Sequence, residues 1–278
     1  MKKYNCLFII IILFTLSVSF TAYAAQEEKD EKASLFQPLI ADPRQPHFSA
    51  SYQRYINDDE LKNIGSTSFG ETFTSRPWNA FNGEMSIGIQ AAVFAFFNLD
   101  AESMDLINAD YWVGIPLQYK KNDFSAMARI FHQSSHLGDE YLLFNDIDRV
   151  NLSYEGIDLK ISYDINEVLR GYMGAGYIFH KEPENLKPVS AQFGAEYKCD
   201  KIFFNDHIRP IAGIDTKTWE ENDWGLDISV RFGVQLENII SKKRKMQIMF
   251  EYFHGNSPHG QFYNKKIKYT GIGTHFYF

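Results

Sequence analysis

Apolar and polar residues alternate one for one over stretches of about ten residues along much of this chain. Leu226, Ile228, Val230, Phe232, Val234 and Leu236 interleave with Asp227, Ser229, Arg231, Gly233 and Gln235. A period of two puts the first set on one face of a β-strand and the second on the other. The pattern returns at Tyr111, Val113, Ile115, Leu117 and Tyr119, at Val189, Ala191, Phe193, Ala195 and Tyr197, and at Met246, Ile248, Phe250 and Tyr252. Beyond residue 25 no apolar run approaches the roughly 20 residues of a spanning helix. Aromatic residues are nevertheless abundant, with 16 Tyr and 24 Phe. Long strands, apolar outward and polar inward, are what a closed membrane barrel requires, because hydrocarbon leaves no backbone group free to stay unpaired.

The N-terminus supports the same setting. Lys2 and Lys3, an apolar run from Leu7 to about Phe20, and Ala22-Tyr23-Ala24 give the three parts of a cleavable signal peptide over 1–24. The organisation expected is a signal peptide at 1–24, a periplasmic segment at 25–45 and a barrel at 46–278. Cleavage takes the formal charge from −7 to about −9, which is unsuited to nucleic acid. Cys199 is then the sole cysteine, so no intrachain disulfide can form.

The fold expected is all-β: an antiparallel transmembrane β-barrel of about 12 strands with short periplasmic turns and longer outer loops, integral to a Gram-negative-type outer membrane. Ten strands read clearly from 83–97 to 266–278, and two weaker ones near 46–56 and 65–75. The turns at 120–123, 164–167 and 241–244 are short and polar, and the segments at 98–106, 135–147, 181–187, 218–223 and 255–265 are longer. An even count suits a single-chain barrel. The alternation of Val150, Leu152 and Tyr154 changes phase against Ile157, Leu159 and Ile161, which reads as a bulge at Glu155-Gly156. The terminal strand, closing on Phe278, is the expected contact with the barrel assembly machinery, and membrane lipids are the expected partners. Nothing in the sequence sets the oligomeric state.

The inward faces carry both signs of charge: Arg129, Glu155, Arg170, Glu196, Arg209, Asp215, Asp227, Arg231 and Glu251. A network that neutralises itself and fills a narrow lumen is favoured over an open channel, since aqueous channels belong to wider barrels.

Two motifs carry a family resemblance. One is Ser34-Leu35-Phe36-Gln37-Pro38-Leu39-Ile40-Ala41-Asp42-Pro43-Arg44, whose prolines argue against a ladder strand. The other is His132-Gln133-Ser134-Ser135-His136-Leu137-Gly138-Asp139-Glu140-Tyr141. Together they resemble the bacterial outer-membrane barrel family catalogued as domain of unknown function 1207, which implies the barrel but no activity.

In the second motif, alternation sets His132 and Ser134 on the lipid side, opposite the lumen-facing Arg129, with Cα atoms about 7 Å apart. Polar groups at a lipid boundary are costly unless paired or functional. The bland reading is a polar rim where the strand leaves the membrane. The pair also resembles the active sites of outer-membrane phospholipase A and of lipid A deacylase barrels. That resemblance implies Ser134 as nucleophile, His132 as base and an Asn or Glu nearby as orienting residue, with Asn145 the first choice and Asn151, Asp139 and Glu140 behind it. Ser135-His136 stands where the phospholipase motif has Asn-Gly. Asn151 and Ser153 alternate toward the lumen.

No cofactor is required by the sequence. Calcium is implied by the phospholipase resemblance, with Asp139 and Glu140 as oxygen ligands. A transition metal on His132 and His136 is less suited, because a strand running into a loop does not fix two imidazoles together. His254 and His259 fall in a Gly- and Pro-rich loop expected to be solvated. Two functions follow: a non-catalytic barrel, structural or a narrow conduit with a filled charged lumen, or a surface lipid acyl hydrolase using the His-x-Ser pair.

Overall fold

The structure, a computed structural model, describes residues 34–278 except 57, 59, 60, 145–149, 239–244 and 278. The signal peptide, Phe278, Asn145 and the turn at 241–244 lie outside the described residues. No helix among the described residues is long and apolar enough to cross a membrane.

The wall is built from β1 (Phe48–Tyr55), β2 (Asn63–Thr74), β4 (Gly83–Asn98), β5 (Leu106–Lys121), β6 (Phe124–Leu137), β7 (Leu152–Asp164), β8 (Leu169–Glu182), β9 (Val189–Lys198), β10 (Ile208–Trp219), β11 (Leu226–Leu236), β12 (Lys245–Asn256) and β13 (Lys266–Tyr277). A three-residue strand, β3 (Trp78–Ala80), extends β4 at one rim and was not expected from its sequence. Each strand pairs antiparallel with its neighbours, β2 pairs with β4 past the β3 hairpin, and β1 pairs with β13 to close the sheet. The result is the expected closed twelve-stranded barrel, which leaves no long edge unpaired.

The pleat sorts the side chains. Tyr111, Val113, Ile115, Leu117, Leu159, Phe193, Phe232 and Phe250 are exposed on the outer surface, while Gln118, Arg129, Lys160, Gln192, Ser229 and Arg231 are buried inside. A continuous apolar exterior on a closed barrel has a bilayer as its natural solvent. One rim carries short connections such as 122–123 and 165–168. The other carries longer ones, including the helix Asp139–Phe144 and the turn Gly260–Phe262.

The lumen is occupied from within the chain. Residues 34–47 enter at the short-turn rim, where Ser34 Oγ and Phe36 N–H both donate to Gln118 Oε1, at 2.8 and 3.1 Å. Phe36 and Leu39 pack against Met127 and Tyr172. Arg170 donates to Gln37 O at 3.1 Å, Ile40 N–H to Glu196 Oε1 at 2.6 Å, and Arg231 to Ile40 O at 3.0 Å. Asp42, buried at the centre, takes Lys217 at 2.5 Å, Gln192 at 3.0 Å and Lys160 at 3.4 Å. The charges of the wall thus bind an inserted segment as well as one another.

The loop carrying His259 departs from the solvated loop its composition suggests. It folds inward, and His259 is buried against Phe96 with ring centroids 4.1 Å apart. Below it Phe96, Ile107, Leu137, Tyr141, Phe253, Ile267 and Tyr269 form an apolar cluster across the long-loop rim, with Phe262 packed on it. Burial pushes the His259 imidazole down to about 4, although Asp110 works the other way. A neutral buried imidazole stabilises the cap fully above the ordinary value of 6.5 and loses that contribution as pH falls from there toward 4. We expect the 257–265 loop to lose about 2 kcal/mol of protection between pH 7 and pH 5. Amide exchange in detergent should show this, and His259→Phe should remove the pH dependence.

Candidate active site

The alternation of β6 puts Gln133 and Ser135 in the lumen and His132, Ser134 and the exposed His136 on the outer surface. In the ladder His132 stands opposite Val113 of β5 and Glu155 of β7, and Ser134 opposite Tyr111 and Ser153. Direct cross-strand partners have Cβ atoms about 5 Å apart, so an imidazole and a carboxylate facing each other meet without distortion. His132 Nδ1 lies 2.7 Å from Glu155 Oε1, the two side chains 40% and 33% exposed. Glu155 Oε2 is in turn 2.5 Å from His180 Nδ1 of β8. Ser134 Oγ makes no hydrogen bond among the described residues.

Glu155 is therefore not a lumen charge. The phase change read at Glu155-Gly156 is absent from β7, where Ser153, Glu155, Ile157 and Leu159 all point outward. The bulge lies across the ladder in β8: Glu155 pairs with His180 and Gly156 with Ile178, leaving Phe179 unopposed. Leu152 and Tyr154 look lipid-facing in sequence because they are apolar. They point inward, onto a cluster with Ile178 and Leu186 beside Trp219 and Tyr263. Ser153, expected in the lumen, lies outside against Ser134. Carrying the alternation of Asp158, Lys160 and Ser162 back without a break would have found both positions.

The other expected participants separate. Asn145 lies outside the described residues. Asn151 donates to Glu182 Oε2. Asp139 and Glu140 occupy successive positions in the first turn of the helix Asp139–Phe144. Among the described residues no group of three or more His, Cys, Asp or Glu side chains is gathered to hold a metal.

The remaining expected charges all have an ion-pair or hydrogen-bond partner. Arg129 binds Asp158 and donates to Gln90 Oε1 at 2.9 Å. Arg170 meets Glu196 at 3.2 Å, and Arg231 meets Glu251 at 3.6 Å. Asp215 accepts from Gln192 at 2.6 Å and from the Tyr172 hydroxyl at 2.7 Å. Asp227 accepts from Asn256 N–H at 2.6 Å, and Arg209 holds Glu237 at 2.6 Å near the short-turn rim.

Sequence reasoning missed the support behind the pair. Asp110 of β5, fully buried, accepts from Arg44 Nη1 at 2.7 Å, Asn108 Nδ2 at 2.8 Å, Gly260 N–H at 3.0 Å and Ser135 Oγ at 2.5 Å. Arg44 also donates to Gln133 Oε1 at 3.0 Å and lies 4.0 Å over the Phe94 ring. Gln261 donates to Ser135 O at 2.9 Å and Val150 O at 2.8 Å. The inserted segment and the folded-in loop therefore both grip the lumen side of the two residues that alternate with His132 and Ser134. Little local signal marks Asp110, because apart from Asn108 its partners lie 25, 66 and 150 residues away.

Residues 22–278 match the family described as "Protein of unknown function (DUF1207)", and the chain belongs to that family. No curated protein matches it. The fold is similar to that of the outer membrane phospholipase A from Escherichia coli, at 11% identity and a TM-score of 0.60, covering 88% of this chain and 94% of that one. An asparagine-to-alanine active-site mutant of the same enzyme aligns equally well, with the same identity, coverage and TM-score. The Salmonella typhi outer membrane phospholipase dimer with bound calcium gives 11% identity and a TM-score of 0.58, covering 84% of this chain and 93% of that one. At such identities the likeness is one of fold.

The two sides of β6 should respond differently to truncation. Asp110→Ala leaves Arg44 buried beside no carboxylate and should cost about 3–5 kcal/mol. Ser134→Ala removes an outward hydroxyl with no hydrogen-bond partner and should stay within about 0.5 kcal/mol of wild type. Thermal unfolding in detergent, followed by heat-modifiable gel migration, measures both.

Proposed function

We propose that this protein is an outer-membrane lipid acyl hydrolase in which Ser134 is the nucleophile, His132 the base and Glu155 the carboxylate that orients it. The observation that carries the reading is the 2.7 Å contact between His132 Nδ1 and Glu155 on the lipid-facing surface, two strand positions from Ser134. Three polar side chains on three adjacent positions of an apolar exterior are costly to maintain as mere surface. The order carboxylate, imidazole, hydroxyl is that of a serine-hydrolase triad.

The chemistry follows from which nitrogen is occupied. With Nδ1–H donated to Glu155, Nε2 carries the lone pair and can take the proton from Ser134 Oγ as that oxygen attacks an ester carbonyl. The acyl carbon gains its bond to Oγ and loses its bond to the lipid alkoxide, which leaves with the proton from Nε2. Water, deprotonated by the same nitrogen, then releases the fatty acid and restores the serine. Glu155 stabilises the imidazolium that exists between these transfers. Because the pair faces the bilayer near the long-loop rim, an ester at the headgroup boundary reaches it without leaving the membrane.

The fold likeness to a phospholipase of the outer membrane supports the reading. The inserted segment and the paired charges then act as a rigid filling behind the catalytic wall, which disfavours the conduit reading.

The test is hydrolysis of phospholipid and of lipid A by the refolded barrel, with calcium and with chelator. Ser134→Ala and His132→Ala should each lower kcat by at least about 10³-fold, and Glu155→Leu by about 10²–10⁴-fold, with heat-modifiable folding retained. Absence of turnover on both lipids in a verified folded barrel would overturn the reading.

A further inference from the structure

Glu155 is held on both sides. Oε1 meets His132 Nδ1 at 2.7 Å and Oε2 meets His180 Nδ1 at 2.5 Å, so one carboxylate bridges two imidazoles from the strands on either side of it. His180 reaches this place only because β8 bulges. Tyr177 and Phe179 point outward, and an unbroken pleat would turn the next residue into the lumen. The extra residue, Phe179, shifts the register between Glu155 and Gly156, so Phe179 and His180 both emerge on the outer surface. A bulge re-aims a side chain, and the one re-aimed here lands on Glu155.

The second contact matters to the first. A surface glutamate bonded through one oxygen can turn about its last torsion, taking the imidazole with it or releasing it. At a lipid boundary its other oxygen would also lack a donor. Fixing both oxygens sets the carboxylate plane, and with it the nitrogen of His132 that carries the proton.

We propose that His180 is a positioning residue for this site, clamping Glu155 Oε2 so that Oε1 holds His132 with its proton on Nδ1 and its lone pair on Nε2. This rests on the hydrolase reading and deepens it. His180 touches neither Ser134 nor the ester, and its side chain is 76% exposed, so the pair adds little to stability and can be removed without loosening the barrel.

His180→Leu removes the donor, and His180→Asn keeps an N–H close to where Nδ1 stands. Two readouts separate the clamp from the activity. In ester hydrolysis His180→Leu should lower kcat about 10-fold with KM within about twofold of wild type, and His180→Asn should restore most of it. Independently, the ¹⁵N shifts of His132 in detergent should report a single Nδ1–H tautomer in wild type and His180→Asn, and a mixture in His180→Leu. An unchanged His132 tautomer in His180→Leu overturns the clamp whether or not the barrel turns over lipid. A barrel that shows the tautomer change without turnover keeps the clamp and overturns the hydrolase reading alone.

Discussion

The two-residue pleat of the strand assigns every wall residue to lipid or to lumen, and the chemistry of this barrel depends on where that assignment places charge. Inside, charge is abundant and every expected charged residue has an opposite or hydrogen-bonding partner. Outside, it is rare, which makes the His132, Glu155 and His180 group conspicuous. At the lipid boundary partners for polar groups are scarce, and these three side chains supply them to one another. The same constraint that makes the arrangement expensive also keeps its geometry narrow.

Asp110 shows how the two faces are joined. Its carboxylate collects donors from β5 itself, from β6, from the segment before β1 and from the loop before β13. Gly260 is glycine at the closest point of this meeting, where an added Cβ would come 2.6 Å from Ser135 Cβ. A packed, multiply bonded interior of this kind transmits strain poorly into compliance and well into position. The strand carrying His132 and Ser134 is thereby held from behind at Gln133 and Ser135.

Much of this was legible in the sequence. The alternation found the twelve strands, the short-turn and long-loop rims, and the outward placement of His132 and Ser134. Glu155 was misplaced because periodicity reads apolar as lipid-facing, and Leu152 and Tyr154 are apolar residues of the lumen. The bulge was assigned to the wrong strand for a related reason: a register shift belongs to a pair, and one strand's sequence cannot say which partner holds the extra residue. The roles of Asp42, Arg44 and Asp110 escaped because most of their partners lie far along the chain. His259 escaped because glycine and proline describe how a loop turns, and not which way it folds.

Residues 34–47 run without interruption into β1, the strand that zips against β13 with Phe48 opposite Phe276. The plug and the seam are thus consecutive pieces of one chain. Closure joins the first wall strand to the last, and the plug's partners Lys160, Gln192, Lys217 and Arg231 are spread over strands that come between. The segment that fills the lumen is therefore tethered at one end to the seam that closes the wall, so that filling and closure are two parts of one covalent piece.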